Sequence, residues 1–258
     1  MSIEDDVTKK KQKIIKLFRE NVKGKVANTS SSNSRHDGKE GHWLERQMGI
    51  KANNRSSSDL LGFEMKKDAT KISFGDWSAD TYLYKELKDL TREKFIKIFG
   101  KKNTVKNRWS WSGEPVPKID DWNNFGQKLV IDENNNIKAM YSFHNDKRSD
   151  KASIVPKNLQ KNEIPLAVWN SMSLERRIES KFGDNGWFIC MKNSQGEYNK
   201  IGFGDPLSFD DWIQLVSEGK VFFDSGMYFD KAKPNNRPYS QWRANGVVWY
   251  SLIKESYS

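Results

Sequence analysis

One cysteine, Cys190, and three histidines, His36, His42 and His144, are all that 258 residues offer of the softer metal ligands. A single thiol cannot staple a fold or build a cysteine zinc site. The histidines show no ligand spacing such as H-E-x-x-H. Long apolar runs are missing as well. The longest, Ile164 to Trp169, has six residues, far from the ~20 of a membrane span. The opening Met1-Ser-Ile-Glu-Asp-Asp lacks the basic-then-apolar layout of a signal peptide. A reducing cytoplasm without membrane contact is the expected setting. Hydrophobic residues are scarce at 36%, yet 14 Phe, 10 Trp and 8 Tyr are present, so the core should lean on rings. The length fits one large domain or two small ones.

What is abundant is positive charge. Lys plus Arg number 44 against 34 Asp plus Glu, a net of +10. The excess is concentrated: residues 9–25 carry eight basic groups and one acid, and residues 92–108 carry seven and one. Such runs suit a polyanion, because neutralised phosphates release condensed counterions. Each run taken alone is equally readable as a solvated helix face.

Helical spacing of Ile14, Leu17, Phe18 and Val22 predicts an amphipathic helix over 3–23. Residues 28–35 are Ser/Asn-rich and read as a loop. A short helix is expected from Gly38 to Met48 with Gly49 at its end, and another from Thr91 to Phe99. Alternation over 60–77 predicts strands. Gln127–Ile131 and Ile137–Ser142 read as a hairpin around Asp132-Glu-Asn-Asn-Asn, and Trp187–Met191 with Lys200–Phe203 as a second. Helices are expected over Ser173–Phe182 and from a cap at Ser208 to Gly219, and strands over Val221–Phe223 and Val247–Leu252. There is no internal repeat, and the predicted class is mixed α/β.

The strongest local signal is Asp59-Leu-Leu-Gly-Phe-Glu64-Met-Lys66. On a strand Glu64 and Lys66 share one face while Phe63 and Met65 turn to the other. Gly62 permits a sharp turn that brings Asp59 beside Glu64. Two adjacent carboxylates ionise together cheaply only around a cation. Oxygen ligands of this kind suit Mg²⁺, which keeps waters and bridges to phosphate. A neighbouring lysine can hold a water for attack on phosphorus. Acid-x-Lys occurs five times: Asp37/Lys39, Glu64/Lys66, Glu86/Lys88, Glu179/Lys181 and Glu218/Lys220. The pattern alone discriminates little, and a strand-surface salt bridge explains it as well. Only Glu64 stands in an alternating strand with an Asp just upstream.

Gly41-His-Trp-Leu-Glu45-Arg-Gln-Met-Gly-Ile followed by Ser58-Asp59-Leu-Leu-Gly-Phe-Glu64-Met-Lys66 resembles the MvaI/BcnI family of type II restriction endonucleases. That family is related to MutH-type mismatch-repair nickases and carries the PD-(D/E)xK nuclease core. Its helix Glu, an Asp fourteen residues on, a Glu five further and then x-Lys are matched by Glu45, Asp59, Glu64 and Lys66. Ser58 replaces a frequent Pro. Arg108-Trp-Ser-Trp-Ser-Gly-Glu-Pro-Val-Pro-Lys118 and Asn124-Phe-Gly-Gln-Lys-Leu also look like family segments. The resemblance is good over roughly residues 38–145 and weaker in the C-terminal third.

The resemblance implies a PD-(D/E)xK core with a central mixed sheet flanked by helices, plus a second DNA-reading lobe. Residues 1–150 would form the catalytic lobe and 151–258 the recognition lobe, one continuous domain being the alternative. Asp59 and Glu64 would bind Mg²⁺, with Mn²⁺ as a substitute, and Lys66 would orient the attacking water. Glu45 would complete the acidic cluster or steady Lys66; a solvated helix residue beside Arg46 is the plainer reading. His42, one turn earlier, is left outside the site. Cleavage of double-stranded DNA by a monomer, leaving 5′-phosphates, is implied, with a cognate DNA methyltransferase in the same system. Relatives read short sites beginning C-C and ending G-G.

Base reading needs side-chain forks and carboxylates in the major groove. Asp224 to Asn245 contains Asp224, Asn235, Asn236, Arg237, Tyr239, Gln241, Arg243 and Asn245, expected on an ordered loop leading into a final strand. Asp224 and Arg243 are the preferred readers, and an ordinary polar hairpin is the alternative. Arg108, in an expected loop Arg108–Trp111, is a further DNA-contact candidate, while Trp109 and Trp111 read as core. The competing functions are a strand-nicking repair endonuclease of the MutH type, a non-catalytic basic DNA-binding module, and a Trp-rich glycan-binding module, which fits the charge poorly.

Overall fold

The computed structural model describes residues 3–30, 38–50, 57–105, 107–232 and 238–258. The Ser/Asn-rich stretch predicted as a loop lies largely outside them. Two compact units are present. One combines Met1–Ile72, Arg176–Phe209 and Asn245–Ser258; the other combines Ser73–Glu175 and Asp210–Ala244. The units therefore interleave instead of meeting near residue 150. The physical reason lies in strand direction. Glu64–Lys67 pairs in parallel with Trp187–Lys192, and parallel neighbours need a long crossover. Most of the second unit is inserted in that crossover.

In the first unit a four-stranded mixed sheet runs in the order Glu64–Lys67, Trp187–Lys192, Tyr198–Gly204, Glu255–Tyr257. Its parallel pair is followed by antiparallel partners. The helices Ile3–Asn21 and Lys39–Gln47 cover one face. There Ile14, Phe18, Val22, Trp43, Leu44 and Met48 share a buried cluster with Phe63, Met65, Phe188 and Cys190. Gly49 closes the second helix at φ +74°, a backbone that side-chain-bearing residues rarely adopt. The opposite face carries Glu64, Lys66 and Trp187. The ring of Trp249 lies over it, 4.9 Å from Trp187.

Trp249 belongs to a helix, Gly246–Ser251, where the sequence predicts a strand. The run Val-Val-Trp-Tyr favours a strand locally, but tertiary contacts override that preference. Gly246 donates its N–H to the Thr70 carbonyl at 2.9 Å. A Cβ there would meet the Ala69 carbonyl oxygen at 2.8 Å. Gly246 and Trp249, three apart, are buried, while Val247 is 70% exposed. The last strand forms instead at Glu255–Tyr257. The helix expected over 173–182 also differs: it begins at Ser171, runs to Ile178 and continues as a π-turn, Glu179–Gly183.

The second unit holds an antiparallel sheet ordered Thr81–Tyr82, Ile164–Trp169, Ile137–Asp146, Phe125–Ile131, and two three-stranded sheets. The predicted hairpin at 127–142 is present, with Asn135 at φ +58° in its turn. Rings fill the core as the composition implies. Trp242 meets Trp169 at 5.3 Å, Trp212 at 5.3 Å and Phe223 at 5.4 Å. Phe95 packs on both Phe99 and Trp111. Thr91 caps the helix Arg92–Phe99 by accepting from the Lys94 N–H. Among the described residues no helix is long and apolar enough to cross a membrane.

Candidate active site

The turn before Glu64 is built on two left-handed residues, Leu61 at φ 53° and Gly62 at φ +83°. Only glycine fits the second position, where a Cβ would fall 2.4 Å from the Asn185 amide nitrogen. The turn folds Asp59 back onto the strand, and its Oδ2 accepts the Met65 N–H at 2.9 Å. It is also stitched to the π-turn and the segment after it. Ser58 N–H donates to the Ser180 carbonyl at 3.1 Å, Asn185 N–H to Gly62 at 3.0 Å, and the Asn185 side-chain amide to Leu61 at 2.8 Å.

These contacts bring together Asp59, Glu64, Lys66 and one residue that the motif did not single out, Lys181. Glu64 Oε1 accepts from Lys66 Nζ at 2.9 Å and from Lys181 Nζ at 2.8 Å. Glu64 Oε2 is buried with no hydrogen-bond partner among the described residues. Lys66 lies between two rings, with Nζ 5.0 Å from the Phe182 centroid and 5.4 Å from that of Trp249, a cation–π setting that fixes it.

The electrostatics follow from this packing. Burial, and then the Glu64 carboxylate, push Asp59 up to about 6, against the Met65 N–H that favours its charge. Burial also works against ionised Glu64, but the Lys66 and Lys181 ammonium groups outweigh it and hold Glu64 below the usual range. Burial lowers Lys66 from the ordinary lysine value, more than Glu64 raises it. The four groups form a small, largely buried cluster in which one carboxylate oxygen has no partner among the described residues.

Among the described residues the Glu45 side chain makes no contact with this cluster. Its Oε2 lies 3.1 Å from His42 Nδ1. The helix Lys39–Gln47 packs Trp43 and Leu44 into the face of the sheet opposite Glu64, which accounts for the separation. The acid of that helix that does reach a strand lysine is Glu40, 3.1 Å from Lys67 and 2.8 Å from Lys192. Lys181 was visible in sequence only as one of five Acid-x-Lys pairs. Its segment registers against Asp59 through tertiary hydrogen bonds, which no spacing encodes.

Asp224, Gln241, Arg243 and Arg108 lie in the second unit on strands, where the sequence predicts loops for all but the final segment, and Tyr239 stands just before the strand Ser240–Asn245. Val221–Ser225 pairs with Ser240–Asn245, and Asp224 stands opposite Gln241. Phe223 and Trp242 point into the core, so Asp224, Gln241 and Arg243 share the other face. They touch: Arg243 Nη1 is 3.4 Å from Asp224 Oδ2, and Arg243 Nη2 donates to Gln241 Oε1. Tyr239 accepts the Gly226 N–H through its carbonyl. Arg108 also stands on a strand, Arg108–Trp111, with its guanidinium 4.3 Å from the Tyr228 ring. Trp111 is fully buried and Trp109 half-buried. Arg237, Asn235 and Asn236 lie outside the described residues.

The profile of the LlaMI restriction endonuclease family matches residues 21–257, nearly the whole chain. The chain belongs to that family. It is 45% identical over 268 residues to the type II restriction enzyme ScrFI of Lactococcus lactis subsp. cremoris, covering 95% of this chain and 97% of the relative. Among solved structures, the restriction endonuclease MvaI in complex with its cognate DNA substrate superposes with a TM-score of 0.61 at 15% identity, covering 100% of this chain and 98% of MvaI. That likeness shows a shared fold. As a member of the LlaMI family the protein is a type II restriction endonuclease, a nuclease that cleaves DNA at a specific site. The non-catalytic and glycan-binding alternatives are thereby set aside, and the resemblance read from Glu45 to Lys66 holds at the level of family.

Proposed function

We propose that Asp59, Glu64 and Lys66 form the active site, that it works with Mg²⁺ or Mn²⁺, and that it hydrolyses duplex DNA to leave 5′-phosphates. The carrying observation is a buried Glu64 Oε2 with no hydrogen-bond partner among the described residues, beside an Asp59 whose pKa is raised to about 6. One carboxylate oxygen lacks a donor and the neighbouring Asp59 is disfavoured as an anion, an arrangement that a divalent cation would complete. Among the described residues no three or more His, Cys, Asp or Glu converge closely enough to cage a metal ion. Two carboxylates without a full cage suit an ion that keeps most of its waters, as Mg²⁺ does. Type II restriction enzymes as a class use a divalent metal. Asp59 and Glu64 would hold the ion, which supplies charge neutralisation at phosphorus and a more acidic water when bound.

The residues themselves divide the remaining work. Lys66, clamped by two rings and Glu64, orients a water toward the phosphodiester. The water attacks phosphorus, the bond to the 3′-oxygen breaks, and the phosphate remains on the 5′-side. The Phe182 and Trp249 rings keep bulk water off Lys66 and strengthen its field. Asp224, Gln241 and Arg243 read base edges, Arg243 forking onto a guanine and Asp224 accepting from a cytosine. Arg108 and Tyr239 contact the duplex nearby, and Arg237 belongs to the same reading stretch by sequence. A site beginning C-C and ending G-G fits an Asp/Arg pair. The enzyme acts as a monomer, and a methyltransferase of matching specificity protects the host DNA.

Digestion of a plasmid of known sequence with Mg²⁺, with and without EDTA, followed by sequencing of the ends, tests this reading. Discrete cuts bearing 5′-phosphates, absent in EDTA, are expected. Undiminished cutting by Asp59→Ala protein rejects the site.

A further inference from the structure

Lys181 is the one member of the cluster without a place in the scheme above. Among the described residues its ion pair is with Glu64 Oε1, at 2.8 Å. Glu64 already has Lys66 at 2.9 Å, so a second lysine is more than a single buried carboxylate needs. In the absence of other ions, Asp59 and Glu64 against Lys66 and Lys181 sum to no net charge. A divalent cation on the carboxylates leaves an excess of two positive charges, and the incoming phosphodiester and its attacking hydroxide offset them.

The two lysines differ in freedom. Lys66 has a side chain only 7% exposed and is held by Phe182 and Trp249. Lys181 is 22% exposed, and no ring contact holds its ammonium among the described residues. It rises from the π-turn Glu179–Gly183, a rare conformation that concentrates at functional sites. Backbone hydrogen bonds on both sides, Ser180 to Ser58 and Asn185 to Gly62, fix that turn to the strand turn carrying Asp59. A merely structural ion pair does not require such registration to the very residues of the site.

We infer that Lys181 is a second active-site lysine: it holds Glu64 in the free enzyme and turns to a non-bridging oxygen of the scissile phosphate when DNA and cation are bound. The inference rests on the reading of Asp59, Glu64 and Lys66 as the active site. A lysine in that position counters the charge that grows on the phosphoryl oxygens as water adds.

The test uses the full chain as Lys181→Gln and Lys181→Arg, with thermal unfolding as the check on folding. Ca²⁺ is titrated calorimetrically without DNA. Single-turnover cleavage is then followed at saturating Mg²⁺ on a duplex carrying the cut site mapped from the plasmid. Lys181→Gln is expected to bind Ca²⁺ several-fold more tightly, because one of the two ammonium groups that compete for Glu64 is gone. Its cleavage is expected to be slower by on the order of 10²-fold, the usual cost of removing one donor at a developing charge. Lys181→Arg keeps the charge and should cleave within about tenfold of wild type. Wild-type cleavage by Lys181→Gln, or Ca²⁺ binding weakened together with cleavage, overturns the inference; the second result would mean that Lys181 only props Glu64. Should Lys181→Gln not fold, a loss by Lys181→Arg well beyond tenfold, with native stability, overturns it, and near-normal cleavage supports it. Asp59→Ala separates the two readings. If it cuts, the site assignment fails; if it is inactive while Lys181→Gln is fully active, only the role of Lys181 fails.

Discussion

Lys66 and Lys67 are neighbours in the chain that serve opposite faces of one strand: Lys66 Nζ lies 2.9 Å from Glu64, and Lys67 Nζ 3.1 Å from Glu40 on the helix Lys39–Gln47. The two-residue period of the strand forces this division. Lys66→Ala should therefore abolish cleavage, whereas Lys67→Ala should leave it within a few-fold and cost little stability, since the pair is part-exposed. Cleavage assays and thermal unfolding of both variants decide the matter. Activity lost in Lys67→Ala alone would mean that the wrong lysine has been placed in the site.

That division was legible from alternation alone, as was the turn at Gly62. The rest of the site was not. Lys181 reaches Glu64 across 117 positions through the Ser58–Ser180 and Asn185–Gly62 hydrogen bonds, and such registration leaves no local trace. Glu45 keeps the family spacing, yet its side chain joins His42; spacing fixes where a residue falls in the chain, not which way its helix turns. The strand expected at 247–252 failed for a related reason. β-Branched residues set a preference, but the close approach of Gly246 to Ala69 and the burial of Trp249 impose a helix.

Asp59 offers a pH test with a definite sign. Its folded pKa is raised to about 6 from an ordinary 3.8. Below the unfolded value both states are protonated. Between there and about 6 the folded state binds the extra proton, so in metal-free protein stability falls as pH rises through this window. The loss is at most about 3 kcal/mol. A cation on Asp59 must displace that proton. Ca²⁺ affinity of the DNA-free protein should thus climb up to about tenfold per pH unit below 6 and level off above it. Calorimetric titrations from pH 5 to 7.5 read this directly. A flat profile would remove Asp59 from the ligand set.

Two buried tryptophans predict unequal costs for the same substitution. Trp111 donates its indole N–H to Gln127 Oε1 at 2.7 Å, and Gln127 is itself fully buried. Trp242, equally buried, has an indole N–H with no partner among the described residues. Trp111→Phe strands the glutamine oxygen, while Trp242→Phe deletes a group that was already unsatisfied. Cavity terms are similar, so Trp111→Phe should be more destabilising by about 1–3 kcal/mol. Urea unfolding of the two variants measures the difference, and equal losses would contradict the hydrogen-bond account.

Arg243 separates base reading from backbone attraction. Lysines and arginines of residues 9–25 and 92–108 that touch phosphates carry no sequence information. Neutralising several should weaken binding to every duplex and lower the salt slope by about 0.9 for each phosphate left without its cation. Arg243 is placed differently. It shares a sheet face with Gln241 and Asp224, both of which contact its guanidinium. Those two contacts, from a carboxylate and an amide oxygen, orient the guanidinium on that face. A fork aimed in advance onto guanine discriminates by about 1–3 kcal/mol. Arg243→Ala should lose that much on the cleavable sequence and little on a scrambled duplex, both titrated in Ca²⁺ to suppress cutting. Asp224→Ala, by freeing the fork, should fall between wild type and Arg243→Ala in specificity while sparing non-specific affinity. If Arg243→Ala weakens both duplexes equally, Arg243 is a phosphate contact, and the Asp224–Gln241–Arg243 face is not where the sequence is read.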